Sequence, residues 1–195
     1  MGVQTVFRSD ERFTQKTFRR WVETRPPSDI NRYELIDGRI VMTPPAGWVH
    51  GSVASTLVHL LSRHVRAERL GLVFESSVGY DLPSGETVEP DVSYVSAQRF
   101  AAQRPATPNQ FLRAVPNLVV EVLSPSTAKR DRTEKKEIYA RNSVEEYWIV
   151  DPSRRTVTVF RLGKRGYCPS RTYARGIVRS RVLPNLRLVV ADLTQ

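Results

Sequence analysis

Residues 118–123 read Leu-Val-Val-Glu-Val-Leu, a nearly continuous apolar run interrupted by one carboxylate, Glu121. Such a run, rich in Val, predicts a central β-strand that is buried on both faces. Burying an unpaired carboxylate is costly, so Glu121 requires a metal, a lysine or several hydrogen-bond donors as its partner. Because side chains alternate along a strand, Val119, Glu121 and Leu123 should share one face.

A second carboxylate, Asp91, begins another predicted strand. It follows Pro90 within residues 89–95, which read Glu-Pro-Asp-Val-Ser-Tyr-Val. Two carboxylates brought together at strand ends cannot both stay ionised in a low dielectric unless a cation neutralises them. Asp91 and Glu121 together therefore predict a divalent metal site. The alternative for Asp91 is a turn residue at the start of a strand, which is the usual role of a Pro-Asp dipeptide.

A helix is predicted from about residue 129 to residue 142, after the breaker Pro125 and the potential cap Ser126. One stripe of this helix contains Asp131, Lys135, Ile138, Tyr139 and Asn142. Lys135 lies near the centre of the stripe, whereas Lys136 points away from it. Of the two adjacent lysines, the geometry selects Lys135 as the one that faces the sheet. The alternative is a surface lysine that snorkels to solvent or pairs with Asp131.

Several short motifs carry a resemblance to a known family. In chain order they are Tyr-Glu-Leu-Ile-Asp-Gly at 33–38, Pro44-Pro45 with His50, Pro90-Asp91, Val-Glu-Val-Leu-Ser-Pro-Ser at 120–126, Arg130-Asp131-Arg132 with Lys135 and Tyr139, and Glu-Tyr-Trp-Ile-Val-Asp-Pro at 146–152. In this order they resemble the Uma-two family of bacterial putative restriction endonucleases, within the PD-(D/E)XK nuclease superfamily. Any one motif alone would be weak.

The resemblance implies an α/β (α+β), restriction-endonuclease-like fold, with a mixed central sheet flanked by helices and strand-rich N-terminal and C-terminal extensions. It implies Asp91, Glu121 and Lys135 as catalytic residues, with Asp91 and Glu121 as the metal ligands. A literal Glu-x-Lys would place the lysine where this chain has Leu123. The resemblance therefore implies that the amine has moved to the helix at Lys135. Mg²⁺ is the expected cofactor and Mn²⁺ a substitute, since oxygen ligands suit both ions.

Two further residues are candidates for auxiliary roles. The resemblance implies that Glu34 supplies a further metal or water contact, although an exposed hairpin carboxylate fits the sequence equally well. His50 stands at the start of a predicted amphipathic helix and could hydrogen-bond phosphate or a metal-bound water. A helix-capping or structural histidine is the alternative.

The charge balance favours a polyanionic partner. The 195 residues include 30 Lys and Arg against 20 Asp and Glu, which gives a formal net charge of +10. Basic side chains that neutralise phosphates release condensed counterions, so nucleic acid is the expected partner, and the resemblance favours DNA. The alternative is that the excess of Arg is only solvated surface. We expect a metal-dependent endonuclease, and a homodimer would suit symmetric cutting of a duplex. The alternative is a catalytically weak or inactive nuclease-fold protein that binds nucleic acid in a regulatory or defence role.

The chain is expected to contain a basic leader with a short helix over residues 1–30 and a single restriction-endonuclease-like domain over residues 31–195. Asp37-Gly38 predicts a β-hairpin, apolar spacing predicts a helix over residues 50–67, residues 72–82 read as one strand, and residues 178–190 predict strands that extend the sheet. The single cysteine, Cys168, excludes an internal disulfide. No signal peptide or transmembrane-length apolar stretch is visible, which favours the cytoplasm.

Overall fold

The computed structural model describes residues 7–103, 110–168 and 171–193. The strands are Phe7–Arg8 (β1), Arg32–Ile36 (β2), Arg39–Thr43 (β3), Gly71–Glu75 (β4), Tyr80–Asp81 (β5), Thr87–Val88 (β6), Val92–Ser96 (β7), Leu118–Val122 (β8), Glu146–Asp151 (β9), Thr156–Gly163 (β10), Gly166–Tyr167 (β11), Arg171–Tyr173 (β12), Ile177–Val178 (β13) and Leu188–Val189 (β14). The helices are Gln15–Glu23 (α1), Trp48–Ala67 (α2), Ala97–Ala102 (α3), Ala128–Arg130 (α4) and Lys136–Arg141 (α5). A π-helical turn at Asp131–Lys135 joins α4 to α5, and a 3-10 turn covers Val190–Leu193.

The central sheet has the strand order β11-β10-β9-β8-β7-β4, and β12 also pairs with β10. Strands β8 and β9 are parallel, whereas β7 pairs with β8 and β10 pairs with β9 in the antiparallel sense. All five residues of β8 are buried, as its apolar sequence predicts. This mixed sheet is the frame on which the candidate site is built.

The two faces of β8 pack against different helices. Val120 and Val122 belong to a core cluster that includes Leu57 of α2. Val119 belongs to a second cluster, which includes Ile138 of α5. The period-two alternation predicted from the sequence is therefore confirmed, and Glu121 shares the face that α5 covers.

Helix α2 has the amphipathic character that its sequence predicts. Its buried side chains are Val53, Leu57, Leu61 and Val65, which recur at helical spacing. They pack against the face of the central sheet opposite to α5. Within the described residues, no helix combines the length and apolarity needed to cross a membrane.

A second sheet, with the strand order β1-β3-β2-β6-β5, flanks the central sheet. Its β2–β3 hairpin turns at Asp37 and Gly38, whose φ angles are 50° and 67°. Positive φ at both positions is the requirement of a type I′ turn, so the predicted hairpin is confirmed. Helix α1 buries Phe18 against Leu35 and Ile40 of this hairpin.

Two of the predicted strand assignments are wrong in detail. Residues 72–82 do not form one strand, because β4 pairs with β7 in the central sheet and β5 pairs with β6 in the other sheet. A turn separates them, in which the Val78 N–H donates to the Glu75 carbonyl at 3.3 Å. The segment from residue 178 to residue 190 is strand-containing as expected. However, β13 and β14 pair with each other as a separate ladder, and their Val178 and Leu188 pack into the core cluster of α2.

The segment between β7 and β8 begins with the short helix α3. The Ser96 side chain caps this helix by accepting a hydrogen bond from the Arg99 N–H at 3.2 Å. Residues 104–109 of that segment lie outside the described residues.

Candidate active site

Asp91 is 2% exposed and stands immediately before β7, where three donors hold its carboxylate. Its Oδ2 accepts a hydrogen bond from the Val122 N–H at 2.8 Å and lies 2.9 Å from His50 Nε2. Its Oδ1 accepts from Arg32 Nη1 at 2.8 Å. Burial alone would raise the pKa of Asp91, but the His50 hydrogen bond and the Arg32 charge outweigh it and hold that pKa well below its ordinary value. Asp91 is therefore ionised.

Glu121 lies in β8 and is 2% exposed. Its Oε1 accepts a hydrogen bond from the Tyr139 hydroxyl at 2.7 Å and lies 2.6 Å from Lys135 Nζ. Its Oε2 faces the Asp91 N–H at 3.4 Å. The two carboxylates predicted to form a site are therefore adjacent at neighbouring strands of the central sheet.

Lys135 occupies the centre of this arrangement, with 1% of its surface exposed. Its Nζ lies 2.6 Å from Glu121 Oε1 and 2.9 Å from Glu34 Oε1. The adjacent Lys136 instead lies over the Phe160 ring, with Nζ 4.5 Å from the ring centroid. The structure therefore places Lys135 at the site and Lys136 away from it, as the helical stripe predicts.

Glu34 is paired with Lys135 and is not an exposed hairpin residue. Glu34 is 3% exposed, and its Oε1 also accepts a hydrogen bond from the Glu89 N–H at 3.0 Å. Burial would raise the pKa of Glu34, but the Lys135 and Arg130 charges lower it overall. The exposed alternative for Glu34 is therefore wrong, whereas its role toward a metal or water stays a prediction.

The helix that carries Lys135 departs from α-helical geometry at the site. Asp131–Lys135 form a π-helical turn, and π-turns inside α-helices often occur at functional positions. Asp131 is 2% exposed. Its backbone carbonyl accepts a hydrogen bond from the Tyr147 hydroxyl at 2.9 Å. Asp131 and Lys135, the first and last residues of this turn, both line a cavity at the site.

The site brings the acids Glu34, Asp91, Glu121 and Asp131 together with the cations Arg32, Arg130 and Lys135. Burial raises the pKa of Glu121 to about 8, although Lys135 opposes that shift, and burial also raises the pKa of Asp131. Burial would lower the pKa of Lys135, but the surrounding carboxylates raise it above its ordinary value. The Lys135 charge alone would lower the pKa of Glu121, but burial and the neighbouring acids outweigh it. We favour a charged Lys135, because several acids compete for this one ammonium and a surplus carboxylate retains a proton.

The structure adds three residues to the predicted site, Arg32, Arg130 and Asp131. The sequence had placed Asp131 on the inward stripe and Arg130 in a family motif, but without a role in the site. Arg32 and Glu34 lie on the same face of β2, so the alternation that places Glu34 could have indicated Arg32 as well. Arg130 Nη2 lies 3.4 Å from Glu34 Oε2 and donates to Thr43 Oγ1 at 3.1 Å. The Nε and Nη1 atoms of Arg130 are buried and have no hydrogen-bond partner within the described part of the chain. Such unpaired donors are costly, and they suit an anionic ligand.

These residues surround a cavity of about 560 Å³. Among the described residues, no three His, Cys, Asp or Glu side chains are grouped as metal ligands. Asp91 and Glu121 nevertheless fit a hard divalent cation that is held by one or two carboxylates and keeps several waters. The raised pKa of Glu121 is a second observation in favour of that fit, because a bound cation would take the place of the proton that this carboxyl retains.

A mixed sheet flanked by helices, with acidic residues on adjacent strands facing a helical lysine, defines a restriction-endonuclease-like fold. The chain belongs to the Uma2 family, described as "Putative restriction endonuclease", whose sequence model matches residues 16–191. The predicted family and fold class are confirmed.

A crystal structure of "a putative nuclease belonging to DUF820" from Anabaena variabilis is similar to this chain, with a TM-score of 0.75 and 20% sequence identity. The match covers 93% of this chain and 97% of that chain, and at this identity it supports the fold alone. No match was found among curated proteins.

Proposed function

We propose that this protein is a metal-dependent endonuclease that hydrolyses phosphodiester bonds of DNA. One observation carries the proposal: Lys135 Nζ lies 2.6 Å from Glu121 Oε1, while Glu121 Oε2 faces the Asp91 N–H at 3.4 Å. Two carboxylates and an ammonium are thereby brought to one cavity. Membership of a family described as "Putative restriction endonuclease" supports the same function.

Asp91 and Glu121 would hold Mg²⁺, with Mn²⁺ as a substitute. When bound, the cation would polarise the scissile phosphate and lower the pKa of the attacking water. His50 and Arg32 keep the Asp91 carboxylate ionised and fixed in orientation, which a metal ligand requires. Tyr139 performs the same orienting task for Glu121.

Lys135 would act directly on the reacting groups. Its ammonium is anchored by Glu121 and Glu34, and it lines the cavity beside Asp91. From this position it would donate a hydrogen bond to the attacking water or to a phosphate oxygen on which negative charge develops. Arg130, with two unpaired donor atoms, would bind a non-bridging phosphate oxygen.

A second function is favoured by the ion pairs themselves. Arg32 already pairs with Asp91 at 2.8 Å, and Lys135 already pairs with Glu121 at 2.6 Å. A protein whose site acids are neutralised in this way could bind nucleic acid without cleaving it. The net charge of +10 supports polyanion binding in either case.

Cleavage of supercoiled plasmid and of single-stranded DNA, measured while Mg²⁺ or Mn²⁺ is titrated, separates the two functions. We expect metal-dependent cleavage by the wild type and by Lys136→Ala, which removes the neighbouring lysine that lies outside the site. We expect no cleavage by Asp91→Ala or Lys135→Ala. DNA binding without cleavage by any of the four proteins would favour the non-catalytic function. Absence of both binding and cleavage would contradict both functions.

A further inference from the structure

Strand β4 forms one end of the central sheet. In the strand order it follows β7, and no other described strand pairs with it. Every residue of β4 is partly or fully exposed, whereas every residue of β8 is buried. A strand at the edge of a sheet presents a row of backbone N–H and C=O groups that can pair with another chain.

The register of β4 against β7 shows which of its backbone groups point away from the sheet. Just before β4, the Leu70 carbonyl accepts a hydrogen bond from the Ala97 N–H at 2.9 Å. Residues of an antiparallel strand alternate between bonding to one neighbour and pointing to the other side, and the β4–β7 register is unbroken. The even-numbered residues of β4 therefore bond to β7, and the odd-numbered residues point outwards. These are Gly71, Val73 and Glu75.

Gly71 and Val73 carry the outward groups that remain for another chain. The Glu75 carbonyl is already used, because it accepts the Val78 N–H at 3.3 Å in the turn that follows. Within the described part of the chain, no hydrogen bond reaches the outward groups of Gly71 and Val73. An added strand would find them ready to pair.

The side chains of β4 do not protect this edge. Its sequence, Gly-Leu-Val-Phe-Glu, has neither the Pro nor the Lys that often blocks edge pairing. Among the described strand residues of the central sheet, Leu72 is the large apolar side chain that is exposed, at 42%. Leu72 also lines a cavity of about 390 Å³, and the apolar residues beside it there are Val65, Ala97, Phe100 and Ala101. An edge with apolar side chains around it suits another protein chain.

The charges at the two ends of β4 identify which chain fits. Residues 70–74 are apolar or Gly, and they are flanked by exposed Arg69 on one side and exposed Glu75 on the other. Antiparallel pairing with the same segment of a second copy places Arg69 of each copy beside Glu75 of the other. Parallel pairing would bring like charges together, which is unfavourable. The segment is therefore self-complementary, as a twofold-symmetric interface requires.

We propose that β4 pairs in the antiparallel sense with β4 of a second copy, about a twofold axis at Leu72, so that the two central sheets become continuous. Gly71 of each copy then exchanges both backbone hydrogen bonds with Val73 of the other. Leu72 contacts its counterpart on the axis. Arg69 and Glu75 are equally distant from Leu72 in the sequence, so each Arg69 stands opposite Glu75 of the other copy. The inference does not depend on the proposed hydrolysis.

Sedimentation equilibrium of the full-length protein tests this interface. Each copy carries a formal charge of +10, so the buffer should contain about 0.15 M salt, where a Debye length of about 8 Å screens the long-range repulsion. We expect a monomer–dimer equilibrium for the wild type. Val73→Pro removes an N–H that points away from β7, so it should keep the β4–β7 hydrogen bonds and weaken dimerisation by about 10-fold to 100-fold.

A second variant changes only an exposed side chain. Leu72→Lys places two ammonium groups against each other on the axis, so it should weaken dimerisation by about 10-fold or more. The matched control is Phe7→Lys, because Phe7 is 58% exposed and lies on β1, at the edge of the other sheet. This control should leave the dimerisation constant unchanged.

A charge exchange tests the pairing partner. Arg69→Glu and Glu75→Arg should each weaken dimerisation by about 10-fold, because each sets like charges opposite one another in two symmetric places. The variant with both changes should recover the wild-type constant. Within one copy these side chains lie at opposite ends of β4, about 20 Å apart along the strand, so recovery requires contact between copies.

A wild-type protein that stays monomeric up to about 100 μM would overturn the inference. A dimer that Val73→Pro and Leu72→Lys leave unchanged would also overturn it, because its interface would lie elsewhere. Failure of the double charge variant to recover would contradict the antiparallel register and overturn the inference as stated. Dimerisation without cleavage in Mg²⁺ or Mn²⁺ would leave the interface in place and contradict only the proposed hydrolysis. Leu72→Lys, at an exposed position, decides the matter even if Val73→Pro folds poorly.

Discussion

Asp91 is tied to the strand that carries Glu121, because Asp91 Oδ2 accepts a hydrogen bond from the Val122 N–H at 2.8 Å. Strand β7, which begins directly after Asp91, runs antiparallel to β8, with Val92 opposite Val120. Backbone register and this hydrogen bond therefore set the separation of the two carboxylates. Groups that must hold a cation or a phosphate benefit from such preorganisation, since little reorganisation remains when the ligand binds.

His50 should matter for activity because it holds the second lone pair of Asp91 Oδ2, with Nε2 at 2.9 Å. We expect His50→Ala to lower metal affinity or cleavage by about 10-fold to 100-fold, the usual effect of removing a partner of a ligand side chain. Calorimetric titration with Mn²⁺ and cleavage kinetics would measure this. The matched control is His59→Ala, because His59 is an exposed histidine on the same helix. Equal losses in both variants would refute the orienting role of His50.

Lys135 should stabilise the fold as well as serve the site. Replacing it with Met removes the buried cation that pairs with Glu121 and Glu34. Breaking a buried ion pair in this way should lower the free energy of unfolding by about 3–5 kcal/mol. Urea unfolding would measure the change. Lys136→Met removes only a partly exposed cation above the Phe160 ring, so it should cost about 1 kcal/mol or less. A loss in Lys136→Met as large as that in Lys135→Met would contradict the assignment.

The stability of the metal-free protein should depend on pH through Glu121, whose pKa burial raises to about 8. With this raised pKa, Glu121 would keep its proton in the folded protein at pH values where the unfolded chain has already released it. Its contribution to stability is therefore present at low pH and is lost as the pH rises towards about 8, by at most about 1.4 kcal/mol per pH unit.

The Glu121→Gln variant has no carboxyl group at this position, so its stability should lack that part of the pH dependence. Urea unfolding of both proteins in a chelator, between about pH 5 and pH 8.5, would show the difference as a slope. Parallel slopes for the wild type and the variant would show that Glu121 is ionised throughout the range.

The local elements of the site could be predicted because each depends on a short-range pattern. Alternation in residues 118–123 places Glu121 on the face that α5 covers, and helical spacing selects Lys135 over Lys136. These patterns follow from the periodicities of strands and helices, so they can be recognised directly in the sequence. The convergence of these elements at one cavity followed from family resemblance and not from any local pattern.

The features that could not be predicted from the sequence depend on long-range strand pairing and on burial. Nothing in residues 72–82 indicates that β4 and β5 join different sheets, because the partners β7 and β6 lie far along the chain. Arg32 and Arg130 read as ordinary basic surface residues in a chain with a net charge of +10. Only the fold shows that both line the cavity. Charged side chains are normally exposed, so sequence reasoning discounts the buried exceptions that functional sites use.

Arg130 should contribute one phosphate contact, since its Nε and Nη1 atoms have no hydrogen-bond partner and it lines the cavity. We expect Arg130→Gln to weaken nucleic-acid binding and to reduce the slope of log affinity against log salt concentration by about 1. Anisotropy titrations over a range of NaCl concentrations, in a chelator, would measure the slope. Arg132→Gln is the control, because Arg132 pairs with Asp151 at 2.9 Å outside the cavity. An unchanged slope in Arg130→Gln would remove this residue from the phosphate site.

Glu146 begins β9, the strand next to the one that carries Glu121, and lies opposite Leu118. Its buried carboxylate accepts four hydrogen bonds. Oε1 accepts hydrogen bonds from Arg161 Nε at 3.1 Å and the Arg181 N–H at 2.6 Å. Oε2 accepts from the Ser180 hydroxyl at 2.8 Å and from Trp148 Nε1 at 3.2 Å. A buried carboxylate in a central strand is therefore not sufficient to identify a site; what distinguishes Glu121 is that it also lines a cavity.

This contrast predicts opposite phenotypes for the two glutamates. Glu146→Ala leaves the Arg161 charge without its partner, so it should lower the free energy of unfolding by about 3–5 kcal/mol. Cleavage per folded molecule should stay at the wild-type level, measured below the unfolding transition with the folded fraction taken from circular dichroism. Glu121→Gln should instead abolish cleavage while the protein remains folded. A folded but inactive Glu146→Ala protein would show that the network around Arg161 takes part in the reaction, contrary to the structural role argued here.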